Sequence, residues 1–311
     1  MERKKKKSGS AVNSNLLRRP IRRWFPLFLL PTIIAFCIGF IYPFIKGVYL
    51  SFCKFTTTSD ATFIGIENYI KAFSDKSFLY AFIYTSAVAV VSIIVINVLA
   101  FAIAYALTRA IKGANVFRTV FFMPNLIGGI VLGYIWSMIF NGILSRFGTS
   151  IATSTAWGFW GLIILMAWQQ IGYMMIIYIA GLQSVPEDMI EAARIDGANG
   201  WQILGKITIP TVMPSITICT FLSLTNSFKL FDQNLVLNKI SPILSKDFLF
   251  FTKADMIPTT RMLAYNIYQS FYGDGATAKG VGQAKAVIFF IIVAAIALIQ
   301  LSSTRSKEVQ Q

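Results

Sequence analysis

Residues 191–210 read EAARIDGANGWQILGKITIP. The segment begins inside a denser patch of acid, EDMIEAARID at 187–196, which holds four of the chain's 13 acidic residues: Glu187, Asp188, Glu191 and Asp196. On either side the chain is strongly apolar. Ser184 with Glu187 three residues later fits a capping box, and Pro186 falls in the first turn, where its missing N–H costs nothing. Glu187 and Asp188 then lie at the positive end of the helix dipole. The pattern predicts a helix from about Val185 to Ile195, stopped by DGANG, where Gly197 can take positive φ. A second short helix, WQILGKI, leads to Pro210, which opens the next apolar run. Acid at a helix start is ordinary, yet Glu187 and Glu191 are like charges at i and i+4, which repel. Arg194 can answer Glu191 but not both. The residues fit a docking knob, with Ala192 and Ala193 allowing close approach and Glu191 meeting a basic partner. They fit a plain solvated loop as well.

Outward from this point the chain reads as membrane. Apolar residues make up 56% of the 311 and charged residues 13%, against about 25% charged in soluble domains. Crossing the hydrocarbon takes roughly 20 apolar residues, and six runs qualify: Trp24–Ile45, Tyr80–Leu107, Val120–Phe140, Trp157–Leu182, Val212–Phe231 and Ala284–Leu301. The first follows a basic leader, but its apolar stretch is too long for a signal peptide and no small-residue cleavage site follows. It reads as an uncleaved anchor. The expected organisation is a basic cytoplasmic tail (1–23), an all-α membrane domain (24–301) and a cytoplasmic tail (302–311).

The net charge is +15, and nine of the 28 basic residues precede position 24. Basic residues just before an apolar run mark a cytoplasmic end at an anionic lipid surface, and no aromatics are interleaved to suggest nucleic acid. Arg109, Lys112 and Arg118 make the 108–119 loop cytoplasmic by the same rule. With six spans, the acidic loop and both termini then lie inside. Cys37, Cys53 and Cys219 lack metal-ligand spacing, and histidine is absent. The GGIVLG of the third run puts Gly129 and Gly133 one turn apart, a spacing that lets helices pack closely.

The acidic loop resembles the EAA loop of bacterial ABC importer permeases. The family pattern is Glu-Ala-Ala, three residues, Gly, nine residues, Ile, one residue, Leu-Pro. Glu191, Ala192, Ala193, Gly197, Ile207 and Pro210 match in register, with Ile209 in place of Leu. FIGIENYIKAF (63–73), FRTVFFMPNLIGGIVLGYIWSMIFN (117–141) and FKLFDQNLVL (228–237) resemble the sugar-transporting, maltose/glycerol-phosphate-type branch. Two departures stand out. NKISPILSKD replaces the usual Gly-Gly-Gly-Pro turn after span five, and GVGQAKA replaces the Gly-Tyr-Ala before span six.

The resemblance implies a type I ABC importer transmembrane domain in the bacterial cytoplasmic membrane. It implies a second permease, two ATPase subunits and an external solute-binding protein as partners, a sugar as solute, and no cofactor. Loop 183–211 would enter a cleft on the ATPase through Glu191, Ala192, Ala193, Asp196 and Gly197, and its motion would drive alternating access. The chain has no Walker A motif. GDGATAKG (273–280) lacks Gly-Lys-Ser/Thr, so hydrolysis belongs to another subunit and this chain is expected to be no enzyme.

Polar groups at membrane depth are costly and so mark candidate pathways. Gln169, Gln170 and Tyr173 in span four, and Ser223, Asn226 and Ser227 in span five, are the candidates for the solute path, with Trp168 or Tyr173 as aromatic faces. Amides and hydroxyls also glue helices together, and Asn97 reads as glue. Lys229 and Asp232 read as a local ion pair or an outer-gate contact. The alternatives are a permease for a non-sugar solute and an ion-driven secondary transporter. The latter commonly buries an acidic residue, and the six runs contain none. An intramembrane enzyme would want a His, an intramembrane carboxylate pair or a Ser–Lys dyad, and the same absence of acid weighs against it.

Overall fold

The computed structural model describes residues 14–109, 112–151, 155–238, 260–273, 275 and 278–305. Most of the 1–23 tail, the NKISPILSKD segment and the end of the 302–311 tail lie outside them. The chain divides into two compact units, Met1–Leu50 and Ser51–Gln311. The first holds helix α1 (Ser14–Phe36), a widened π-helical turn at Cys37–Ile41, and α2 (Tyr42–Leu50). Phe25–Leu50 forms one apolar stretch long enough to cross a bilayer, five residues beyond the end expected from the sequence.

The second unit opens with a small antiparallel ribbon, β1 (Cys53–Lys54) against β2 (Thr62–Phe63). Then follow α3 (Glu67–Ser74), α4 (Lys76–Leu107), α5 (Ala114–Phe122), α6 (Gly129–Leu144), α7 (Thr155–Gln183), α8 (Glu187–Ile195), α9 (Gly200–Ile203), α10 (Ile209–Thr211), α11 (Met213–Phe228), α12 (Asp232–Asn238), α13 (Leu263–Tyr272) and α14 (Lys279–Arg305). Among the described residues, five helical stretches are long and apolar enough to cross a membrane alone. The count reaches six if Gly200–Thr211 and Met213–Leu237, bent 70° at their junction, form one broken span. The chain is thus an all-α polytopic membrane protein, with the ribbon the one exception among the described residues.

The core is α4 laid along α7. Asp75 caps α4 by accepting from the Ser77 N–H at 2.8 Å. Ala100 and Ala104 keep the buried face of α4 thin, and Val88 and Ile96 share one cluster with Leu162, Leu165, Met166, Met174 and Met175 of α7. Asn97 holds the centre as expected. It accepts from the Tyr178 hydroxyl at 2.7 Å and donates to Ser223 Oγ at 3.1 Å. At the far side Lys285 of α14 is almost wholly buried. Its ammonium reaches Asp75 Oδ2 at 2.5 Å and Ser270 Oγ at 2.6 Å, beneath the Phe78 ring. The GVGQAKA segment has a packing role here. A Cβ on Gly280 would lie 2.4 Å from the Cys53 carbonyl oxygen, and one on Gly282 would lie 2.9 Å from Phe271 N. Asn68 of the IENY stretch donates to the Ser51 and Cys53 carbonyls, both at 2.9 Å, which fixes the ribbon beside α14.

The third apolar run is not one helix. Pro124, which cannot donate to a helical ladder, sits in a 3₁₀ turn at Met123–Leu126 between α5 and α6. The fifth bends by 70° at its start, between the Gly200–Thr211 and Met213–Leu237 stretches, and unwinds at its other end, 229–231, between α11 and α12. Gly129 and Gly133 do serve packing, and their partner is α12: Cβ atoms there would come within 2.8 Å of Asp232 and 2.9 Å of Val236.

Candidate functional site

The acidic loop folds as a rigid elbow. No capping box forms at Ser184. Its hydroxyl donates to the Gly181 carbonyl at 2.7 Å, and Pro186 occupies the N-cap, so α8 starts at Glu187 rather than Val185. Proline's fixed φ and the following chain direction leave Ser184 too far back to reach the N3 amide. The elbow closes instead at its other end. Gly197 sits at φ +83°. Its N–H bonds the Arg194 carbonyl at 3.1 Å, and that of Ala198 bonds Ala193 at 2.9 Å, the paired bonds of a Schellman motif. Two residues on, Asn199 and Gln202 form a reciprocal capping box that starts α9. Ile190 and Ile207 pack into the main core. The next span helix is opened by Pro214, while Pro210 lies in the preceding single-turn helix.

Glu191, Ala192, Asp196 and Gly197 are exposed and Ala193 is half-buried. Glu191 makes no ion pair with Arg194. The loop also presents two large apolar side chains that sequence reasoning passed over, Ile195 at 86% and Trp201 at 82% exposure. Their signal was present, since neither is needed to hold the elbow to the bundle. Behind the elbow lies a cavity of about 540 Å³, lined by Tyr105, Arg109, Glu187 and Arg194 among others.

A second site lies where the two broken spans meet α7. A recess of about 290 Å³ is lined by Asn125, Gln169, Gln170, Asn226, Lys229, Leu230, Phe231, Asp232 and Gln233. Gln169 falls midway along α7. Its Nε2 donates to the Ile127 carbonyl at 3.3 Å, satisfying a group freed by the α5–α6 break. Its Oε1 accepts from Gln233 Nε2 at 2.8 Å. Asn226 Nδ2 donates to Gln170 Oε1 at 3.3 Å. Unwound backbone groups need partners from protein or water, and the Gln169 amide supplies one to Ile127 here.

Three of the six solute-path candidates, Gln169, Gln170 and Asn226, therefore come together. Ser223 and Ser227 do not join them. Both are wholly buried, Ser223 against Asn97, while Asn226 is exposed, because 226 and 227 are adjacent on α11 and point about 100° apart, and the buried side is that of 227. Tyr173 packs against the core, and Trp168 meets Trp136 edge-on at 5.5 Å. Neither lines the recess. Lys229 and Asp232 make no ion pair with each other and both face the recess. Outside the spans, in the 56–60 turn, Asp60 is held down to about 2 by the Thr56 hydroxyl and the Thr57 N–H.

Residues 111–308 match the family model of the binding-protein-dependent transport system inner membrane component. The chain belongs to that family. Among curated members, this inner-membrane component is 41% identical over 297 residues to the probable starch degradation products transport system permease protein AmyD of Thermoanaerobacterium thermosulfurigenes, covering 92% of this chain and 96% of the relative. It is 29% identical over 296 residues to the multiple sugar-binding transport system permease protein MsmF of Streptococcus mutans, covering 92% and 97%. In fold it is similar to a chain of the crystal structure of a bacterial ABC transporter that imports the acidic polysaccharide alginate. There the TM-score is 0.74 at 21% identity, covering 93% of this component and 98% of that chain.

Proposed function

We propose that the chain is the membrane-spanning subunit of an ABC importer for a neutral sugar or oligosaccharide, with no catalytic chemistry of its own. The recess carries this reading. It offers amide donors and acceptors, one ammonium and one carboxylate at the depth of two broken spans, the kind of place where transporters bind solute. A polyhydroxylated solute uses such a mixture, and the balanced charge favours a neutral one. The names of the relatives support sugar over other solutes.

On this reading Gln169, Gln170 and Asn226, joined by Asn125, Lys229, Asp232 and Gln233, contact the solute. Ser223, Ser227 and Tyr173 hold the helices behind them. Loop 183–211 is cytoplasmic, as are both termini (1–23 and 302–311), and residues 24–301 cross the bacterial inner membrane. A second permease pairs with this one, a solute-binding protein delivers from outside, and two ATPase subunits engage the elbows. Ile195 and Trp201 supply buried apolar anchors, Glu191 a charge contact, and Ala192, Ala193, Asp196 and Gly197 the close approach and turn. Closure of the ATPases then rocks the bundle between inward-open and outward-open states.

The test is uptake by the whole complex in proteoliposomes. Asn226→Leu is expected to weaken uptake while the ATPase subunits still copurify. Glu191→Lys and Gly197→Asp are expected to abolish uptake while the chain still inserts. Wild-type uptake by either elbow variant, or uptake by the chain without ATPase subunits, would overturn the coupling reading.

A further inference from the structure

The wall of the recess continues into a row of aromatic rings. Phe231 lines the recess itself. Its ring centroid lies 5.1 Å from Tyr268 of α13, and Tyr268 lies 4.8 Å from Tyr272, one turn further along the same helix. Tyr265 is buried beneath, 6.3 Å from both Phe231 and Tyr268, and Phe271 flanks Tyr272 at 4.9 Å. The two rings furthest from the recess are increasingly open: Tyr268 is 40% exposed and Tyr272 is 69%. In the chain α13 falls between the fifth and sixth spans, as α8 falls between the fourth and fifth.

We propose that Phe231, Tyr268 and Tyr272 form a stacking track that guides a linear oligosaccharide from the external face into the recess. This rests on the sugar reading of the recess. Pyranose rings have an apolar face of axial C–H groups that lies flat on an aromatic ring; the successive rings are tilted by 60° and 41° at centroid spacings of 5.1 and 4.8 Å, so consecutive sugar units would meet turned faces. Tyrosine adds a hydroxyl at the ring edge, donor and acceptor at once, where sugar hydroxyls project. Stacking is tolerant of rotation and of which sugar unit is present, so a chain can advance along it ring by ring. A protein partner would instead be expected to bury the tyrosines in a fixed interface.

The prediction is dependence on chain length. The reconstituted complex with its binding protein is assayed for uptake of a linear malto-oligosaccharide series, maltose through maltoheptaose. Tyr268→Ala with Tyr272→Ala is expected to slow uptake of the longest members about tenfold while changing maltose by less than about twofold, the range that loss of one or two aromatic contacts supports. The Tyr→Phe pair keeps the rings and is expected to stay near wild type. Equal loss at every length, no loss at any length, or failure of the alanine pair to assemble with the partner permease overturns the track and assigns the tyrosines to packing. If Asn226→Leu still impairs uptake in that case, the recess stands without the track. If wild type carries no member of the series, linear malto-oligosaccharides are not the cargo and the track as proposed for them falls, whereas the sugar reading of the recess is decided separately by Asn226→Leu.

Discussion

Gly172 of α7 supplies the sharpest test of how the recess is held. A Cβ at this position would lie 1.8 Å from the Phe121 carbonyl oxygen and 2.7 Å from Phe122 N, at the end of α5. The obstacle is backbone, so no rotamer change relieves it. For Gly172→Ala, α5 and α7 must separate by at least about 1.2 Å, and overpacking of this kind costs about 1–3 kcal/mol. The upper end is expected here because the struck atoms cannot swing aside. The strain falls three residues from Gln169, whose bonds to Ile127 and Gln233 close the recess. Losing one such bond is worth about 1 kcal/mol, or roughly a fivefold rise in apparent KM. Gly142→Ala is the matched control. No atom lies within 4 Å of its added Cβ, so the change is expected to be neutral or stabilising by about 0.4–1 kcal/mol. Thermal melting of the detergent-solubilised protein, with uptake measured in parallel, reads both. If Gly172→Ala melts with wild type, the close approach of α5 and α7 is wrong, and with it the reasoning for the recess.

Removing the carboxylate beside the buried Lys285, as in Asp75→Asn, is expected to destabilise by about 3–5 kcal/mol. Adding Lys285→Met should recover part of this, as read by the melting temperature of the single and double variants. Asn97→Leu is expected to cost about 1–2 kcal/mol and to lower uptake only as far as it lowers the amount of folded protein in the membrane. Asp60 titrates well below an ordinary carboxylate, so its support of the 56–60 turn is full above about pH 4 and lost as pH falls toward about 2. Limited proteolysis of that turn should show it, with Asp60→Asn cut readily at every pH.

The spans were legible because membrane crossing demands a long apolar run wherever the chain folds, and α4 and α7 extend only a few residues beyond their expected ends. The breaks were less visible. Pro124 signalled the first, and Pro210 and Pro214 flank the 70° bend that opens the fifth run, whereas the unwound stretch at 229–231, next to the packing of α12 on Gly129 and Gly133, carries no proline or glycine. The elbow's stop at Gly197 followed from its sequence. Its start did not, because Ser184–Glu187 satisfies a capping pattern that the Pro186 backbone prevents. Lys285 lay in plain view inside a span, but its partner Asp75 is 210 residues earlier, a distance over which no local pattern speaks. Of the solute-path residues, type alone could not tell Asn226 from Ser223. Which side of α11 faces the recess is decided by what α4 covers.

The Schellman turn and the Asn199–Gln202 box have one further consequence. Between them they satisfy the joint from within, so its angle is set before anything touches it. On the proposed reading such a part passes on a push as displacement and does not absorb it by refolding. Recognition is then left to outward side chains such as Glu191, Ile195 and Trp201. Motor preference should accordingly travel with those three positions when they are transplanted between sister permeases, leaving cargo choice behind.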